Sequence, residues 1–146
     1  MSHISLHVHI VFAVKNRVPL IREDWRSRLH DYFGGILKRE GGVLLSVGGM
    51  PDHMHLLVSL NADRAISDIM RAAKAGSSKW IHDTFPDSAM FAWQEGYGLF
   101  SVSRSHLERV REYIEDQAEH HRKITFREEF IGLLKKHNLP YDERFL

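Results

Sequence analysis

The chain contains no cysteine among its 146 residues. This absence excludes disulfide frameworks, thiolate zinc sites and cysteine nucleophiles, and it suits a reducing compartment. There is also no apolar run near the roughly 20 residues that a membrane span requires. The first residues, Met1 to Ser5, lack the basic and apolar regions of a signal peptide. We therefore expect a cytoplasmic protein without membrane contact.

An excess of charge of either sign is also missing. The chain has 20 basic and 19 acidic residues and a formal net charge of +1, so a nucleic-acid partner would have to be held by a local basic patch. The length fits a single domain over residues 1–146. Histidine, by contrast, is abundant, with 11 residues, which directs attention to imidazole chemistry.

Hydrophobic periodicity predicts the order of the secondary structure. Alternating apolar residues predict a strand over 3–13, and apolar runs over 43–47 and 53–60 predict a hairpin. Helical spacing predicts helices over 22–40, 62–83 and 106–121, with a fourth strand near 97–102. Capping-box patterns at Ser105–Glu108 and Thr125–Glu128 predict the starts of the third helix and of a short fourth helix.

The resulting order, β-α-β-β-α-β-α-α, predicts an α+β fold. Its first six elements match the ferredoxin-like (split βαβ) arrangement, a four-stranded antiparallel sheet with helices on one face, to which C-terminal helices are added. In this arrangement the other face of the sheet is left free for function.

The tripeptide His53-Met54-His55 begins the third predicted strand. Side chains alternate between the faces of a strand, so the two imidazoles would share one face while Met54 points into the core. Neutral imidazole is the commonest metal ligand in proteins, and the pair could hold two corners of a metal site. Alone, however, a His-x-His pair is more typical of ordinary surface histidines.

The third predicted helix carries Tyr113 and Gln117 four residues apart, on one helix face. The amide oxygen of Gln117 could serve as a neutral third ligand, which would leave a divalent ion its full charge to polarise a phosphodiester. The phenol of Tyr113 could attack that phosphodiester, provided that a proton acceptor or nearby positive charge assists it. The metal, His120 or His121 could provide that assistance.

The motif His53-Met54-His55, followed by Tyr113-Ile114-Glu115-Asp116-Gln117, resembles the single-tyrosine HUH transposases of small bacterial insertion sequences and their relatives associated with repetitive extragenic palindromes (REP). The segment Val8 to Arg17 is similar to the first strand of that family and its basic turn. The resemblance covers nearly the whole chain, although the tail after Gln117 has no assigned role.

The resemblance implies a metal-dependent transposase that cleaves and rejoins single-stranded or hairpin DNA through a 5′-phosphotyrosine intermediate. It implies that His53, His55 and Gln117 bind magnesium or manganese, and that Tyr113 is the nucleophile. It also implies a homodimer, in which the tyrosine helix of one subunit can complete the metal site of the other.

Further residues are candidates for supporting roles. His9 and His120 are possible neighbours of the active site. Basic side chains after the first strand and on the second helix suit phosphate contacts, although each alone is more typical of a solvated charge. These candidate DNA-binding residues are Lys15, Arg17, Arg71, Lys74 and Lys79.

Two other functions stay open at the level of sequence. One is a domesticated protein that binds hairpin DNA or RNA without cleaving it. The other is a metal-binding ferredoxin-like protein whose histidines serve metal sensing or storage. The intact Tyr113 and Gln117 pair favours the transposase over both.

Overall fold

The computed structural model describes residues 1–146 and has a four-stranded antiparallel sheet in the order β2-β3-β1-β4. The strands are β1 (His7–Ala13), β2 (Gly42–Met50), β3 (His53–Leu60) and β4 (Gly98–Val102). The helices are α1 (Arg26–Arg39), α2 (Ile66–Thr84), α3 (Leu107–Glu115), α4 (Gln117–His120) and α5 (Phe126–Lys136). This order confirms the predicted α+β, ferredoxin-like fold. None of the helices has the length and apolar character needed to span a bilayer.

The main hydrophobic core lies between one face of the sheet and helices α1 and α2. It is formed by alternate residues of the central strands, because side chains two apart on a strand share a face. From β3 these are Met54, Leu56 and Val58, and the two helices contribute Phe33 and Ile69 among others.

The opposite face of the sheet is also covered, and the expectation that it stays free is wrong. Val11 and Ala13 of β1 form a second core with Phe100 of β4 and with Phe126 and Leu134 of α5. The apolar stripe of α5 must be buried somewhere, and this half of the sheet face offers matching apolar side chains.

Three local predictions need correction. Strand β2 continues through two glycines to Met50, so the turn is reduced to Pro51-Asp52. The predicted third helix is interrupted at Asp116, where ψ changes to 25°, and resumes as α4. Ser105 lies inside a 3-10 turn and does not cap α3, because its hydroxyl bonds to side chains of that turn.

The start of α5 agrees with its prediction. Thr125 accepts a hydrogen bond from the backbone N–H of Glu128, and the Glu128 side chain accepts one from the backbone N–H of Thr125. This reciprocal pair satisfies two backbone donors that a helix start would leave unpaired.

Strand β2 contains a β-bulge that brings it close to α3. The register shifts between Leu44 and Ser46, and the carbonyl of the extra residue, Leu45, accepts a hydrogen bond of 2.6 Å from Arg111 of α3. Beyond the bulge Gly48 lies opposite His55. A Cβ atom at Gly48 would lie 2.2 Å from the carbonyl oxygen of Ile114, so α3 can sit at this depth only over glycine.

We expect Gly48→Ala to destabilise the protein by about 1–3 kcal/mol, the usual cost of forcing a methyl group into packed structure. Urea unfolding would measure the change. Gly35→Ala is the matched control, because its Cβ would meet no atom within 4 Å inside α1, and alanine is the better helix former. Equal stability of the two variants would contradict the close approach of α3.

Candidate metal and nucleophile site

His53 and His55 of β3 lie on the sheet face opposite Met54, and neither side chain has any exposed surface. One nitrogen of each ring is engaged at the edge of the site. Nδ1 of His53 lies 2.7 Å from Oδ1 of Asp52, and Nδ1 of His55 lies 2.8 Å from Nε2 of His9. These contacts orient both rings so that their Nε2 atoms point towards α4 and α5.

Gln117 meets the first of these rings. Its Oε1 lies 3.2 Å from Nε2 of His53, and its amide nitrogen donates to the backbone carbonyl of Tyr113, also at 3.2 Å. The interruption at Asp116 places Gln117 at the first position of α4, where its side chain is 2% exposed. The sequence-predicted ligands His53, His55 and Gln117 are therefore brought together within one chain.

Two further residues complete this cluster. Oε1 of Glu129, from α5, lies 3.0 Å from Nε2 of His55 and 3.1 Å from Nε2 of His121. The same oxygen is 3.4 Å from Nε2 of His53. The ligand atoms of His53, His55, His121 and Glu129 all lie within 4.8 Å of one another, which is close enough to surround a single ion.

Tyr113 lies beside the cluster. Its hydroxyl donates a hydrogen bond to Oε2 of Glu129 and lies 3.3 Å from Nε2 of His120. The rings of His9 and His55 both pack against the edge of the Tyr113 ring. Both suggested neighbours of the active site, His9 and His120, are thus close to the tyrosine.

The electrostatics of the site are dominated by burial and by Glu129. Burial lowers the pKa of His9 to about 3 and also lowers that of His55, so both rings are neutral at pH 7. Burial alone would raise the pKa of Glu129, but hydrogen bonds from His55 and Tyr113 outweigh it and keep the carboxylate ionised. The pKa of Tyr113 is raised, first by burial and then by the hydrogen bond to Glu129.

The donor set fits a divalent metal. Imidazole nitrogens together with amide and carboxylate oxygens suit manganese and the later transition metals. Asp52 and His9 supply the outer contacts that metal-bound histidines usually have on their second nitrogen. A metal-binding cluster of histidine and glutamate is therefore compatible with these residues.

Tyr113 can be reached from the surface. A cleft of about 640 Å³ between β4, α3 and α5 extends to Tyr113 and His9. Its rim carries the basic or potentially basic side chains His106, Arg109, Lys136 and His137. A second opening of about 340 Å³ reaches the tyrosine from the side of His120.

The predicted DNA-binding residues lie elsewhere. Arg71, Lys74 and Lys79 are on α2, on the other side of the sheet from Tyr113. Arg71 pairs with Asp68, Lys79 pairs with Asp83, and Lys74 donates to backbone carbonyls of the loop before β4. Lys15 and Arg17 lie in the 3-10 turn after β1, where Arg17 bonds to the carbonyl of Leu146.

Sequence reasoning missed Asp52 and Glu129 and gave His121 only a possible assisting role. A signal for Glu129 is present, because it falls on the apolar stripe of α5 between Phe126 and Phe130, at helical spacing. A carboxylate on an apolar stripe requires a buried partner. Asp52 could have been noticed as the residue adjoining His53.

Comparison with known proteins agrees with this architecture. ISDra2 transposase TnpA of Deinococcus radiodurans is 27% identical to the chain over 118 aligned positions, and the match covers 77% of this chain and 84% of the relative. The crystal structure of a candidate transposase from D. radiodurans R1 has a TM-score of 0.64 and 26% identity, covering 80% of this chain and 93% of that one.

A REP-associated tyrosine transposase, solved bound to a REP hairpin, shares the fold with a TM-score of 0.59 at 14% identity, covering 78% of this chain and 67% of that one. The model of IS200-like transposases matches residues 2–117. With most of its length matched, the chain belongs to the IS200-like transposase family, whose members are DNA-processing enzymes.

Proposed function

We propose that this transposase cleaves and rejoins single-stranded DNA through a transient covalent bond between Tyr113 and a 5′-phosphate. His53, His55 and Gln117 would hold a divalent metal, which when bound polarises the scissile phosphate. The observation that carries the proposal is the packing of Tyr113 and Gln117 against the buried histidine pair within one chain.

In the cleavage step the Tyr113 oxygen forms a bond to phosphorus, and the bond from phosphorus to the 3′-oxygen breaks. The phenol proton has an acceptor in place, because the hydroxyl already donates to Oε2 of Glu129. The leaving 3′-oxygen takes up a proton and becomes a free hydroxyl. Attack by a 3′-hydroxyl on the phosphotyrosine reverses these changes and rejoins the strand without an added energy source.

The cleft at Tyr113 supports a path for the DNA strand. Arg109, one helical turn before Tyr113 in α3, lies on the rim of this cleft, and Lys136 of α5 also lines it. Cations along a groove suit a phosphate backbone. The α2 residues Arg71, Lys74 and Lys79, together with Lys15 and Arg17, would contact parts of the DNA further from the scissile phosphate, such as a hairpin stem.

We expect the wild-type protein to form a covalent adduct with a labelled hairpin-containing oligonucleotide in the presence of manganese. Tyr113→Phe should abolish the adduct, because the nucleophilic oxygen is lost while the ring and its packing remain. Denaturing gel electrophoresis would measure the adduct, with Tyr97→Phe as a control on an exposed tyrosine. An undiminished adduct in Tyr113→Phe would disprove the assignment, and tight hairpin binding with no wild-type adduct would favour a binding protein without cleavage.

The geometry also predicts that Tyr113 acts on the metal site of its own chain. Tyr113→Phe and His55→Gln each remove one half of the site, so a mixture of the two variants should form no adduct. If the tyrosine instead served a partner subunit in a dimer, mixed dimers would contain one intact site and regain activity. Recovery of adduct in the mixture, measured on chains of different tag length, would show sharing between subunits.

The two basic regions should differ in their effects. Arg109→Ala should lower the rate of adduct formation at saturating DNA by about tenfold, because a displaced phosphate reacts slowly. Arg71 lies on the far side of the sheet from Tyr113, so Arg71→Ala should change only the DNA concentration needed for saturation. Single-turnover kinetics would separate the effects, and a reversed pattern would place the scissile phosphate on the other side of the molecule.

A further inference from the structure

The hydrogen-bond partners of the histidines show that nitrogen lone pairs at the centre of the cluster have no donor. Nδ1 of His53 faces the carboxylate of Asp52, and Nδ1 of His121 lies 3.0 Å from the carbonyl oxygen of Ile124. Both partners are acceptors only, so in each neutral ring Nδ1 carries the proton. The Nε2 atoms of His53 and His121 therefore present lone pairs.

The atoms that these lone pairs face are acceptors as well. Nε2 of His121 lies 3.0 Å from Oε1 of Gln117 and 3.1 Å from Oε1 of Glu129. Exchanging the oxygen and nitrogen of the Gln117 amide would not supply a donor without cost. The amide nitrogen would lose the hydrogen bond that it donates to the carbonyl of Tyr113. Lone pairs of His53, His121 and Gln117 thus face one another and Oε1 of Glu129. The one proton that these contacts supply is on Nε2 of His55, which binds Glu129, and that proton can instead reside on Nδ1, which faces Nε2 of His9.

Such a cluster of lone pairs is stabilised by a cation at its centre. Additional protons on the rings would also supply positive charge, but several imidazolium groups packed around one carboxylate would repel each other in a site closed to solvent. One divalent ion would satisfy all the converging lone pairs at once. It would also compensate the negative charge of Glu129, which is 3% exposed.

We propose that His121 and Glu129 are themselves metal ligands, so that helix α5 forms part of the metal centre. Nε2 of His121 and Oε1 of Glu129 join His53, His55 and Gln117, while Oε2 of Glu129 holds the hydroxyl of Tyr113. Both residues lie beyond the segment that the family model matches, which ends at residue 117. The proposal that His121 and Glu129 bind the metal is independent of the proposed function, whereas the role of Glu129 in holding Tyr113 rests on that function.

This ligand set carries a preference among metals. Magnesium favours an octahedral shell of oxygens and retains several waters, whereas imidazole is a ligand for the later transition metals and manganese accepts mixed nitrogen and oxygen donors. Three imidazole nitrogens beside two oxygens should therefore bind manganese and cobalt in clear preference to magnesium. The carboxylate of Glu129 would position the nucleophile relative to the metal, because Oε1 faces the metal site and Oε2 accepts the hydrogen bond from the Tyr113 hydroxyl.

Titration with Mn²⁺ alone, followed by the electron paramagnetic resonance of the free ion, tests the proposal without DNA. Glu129→Gln should weaken Mn²⁺ binding by about tenfold or more, because a charged ligand becomes neutral at nearly constant volume. Glu128→Gln is the matched control, since glutamine preserves the capping box of the same helix. Mn²⁺ affinity that is equal in wild type and Glu129→Gln would overturn the proposal.

His121→Gln provides a second variant on a separate element. It should also weaken Mn²⁺ binding by about tenfold and should change the visible absorption of bound Co²⁺, which responds to loss of a nitrogen donor. An unchanged Co²⁺ spectrum in this variant would remove His121 from the centre. Should Glu129→Gln fail to fold, as judged by circular dichroism, the spectrum of His121→Gln decides between the outcomes.

The Mn²⁺ titration and the adduct assay test the two proposals separately. Mn²⁺ binding that depends on Glu129, with no adduct from wild-type protein, would leave the metal centre standing and overturn the proposed function. An adduct that forms in wild type, with Mn²⁺ affinity indifferent to both Glu129 and His121, would support the proposed function and reject the extended centre.

Discussion

The burial of two imidazole rings on a sheet face is the constraint on which the rest of the site depends. A buried ring needs a partner for each nitrogen, because an unpaired polar atom away from water costs about 1–3 kcal/mol. Asp52 and His9 serve the outer nitrogens of His53 and His55. The inner nitrogens face groups from beyond the sheet: Nε2 of His55 binds Oε1 of Glu129 from α5, and Nε2 of His53 faces Oε1 of Gln117 from α4.

This requirement couples the second core to the chemistry. The apolar side chains of α5 pack on Val11, Ala13 and Phe100, and the same helix carries Glu129 into the cluster. The ring of Phe126 also stacks on the ring of His53. Hydrophobic packing thus sets the position of the carboxylate, and loss of that packing would withdraw a charge from the site. Stability and reactivity are linked here through one helix.

Much of this architecture could be predicted from the sequence, for reasons that particular elements show. The alternation in β1 and β3 identified both faces of the sheet. The spacing of Tyr113 and Gln117 predicted that the two residues lie together, which they do although they belong to α3 and α4. The interruption at Asp116 could not be foreseen, because no proline or glycine marks it and the contact that Gln117 makes beyond it, with His53, is a tertiary one.

The role of α5 was equally hidden from the sequence. Capping chemistry at Thr125 located the start of the helix, but local patterns do not say which surface a helix covers. A free sheet face was expected because the first six elements alone leave one. The apolar residues Val11 and Ala13, which follow His7 and His9 on the same face of β1, were the available sign that this face carries both polar and apolar partners.

The extra residue in β2 determines how deeply the tyrosine helix can approach the sheet. If Leu45 paired with Leu57 instead of bulging, the regular pairing that runs through Leu44 and Val58 would continue unbroken, and Val47 rather than Gly48 would lie opposite His55. A branched side chain would then stand where the carbonyl of Ile114 now rests, and Arg111 would lose the carbonyl that it binds. The β-bulge therefore sets the register of β2 that allows the tyrosine helix to approach the histidines of β3.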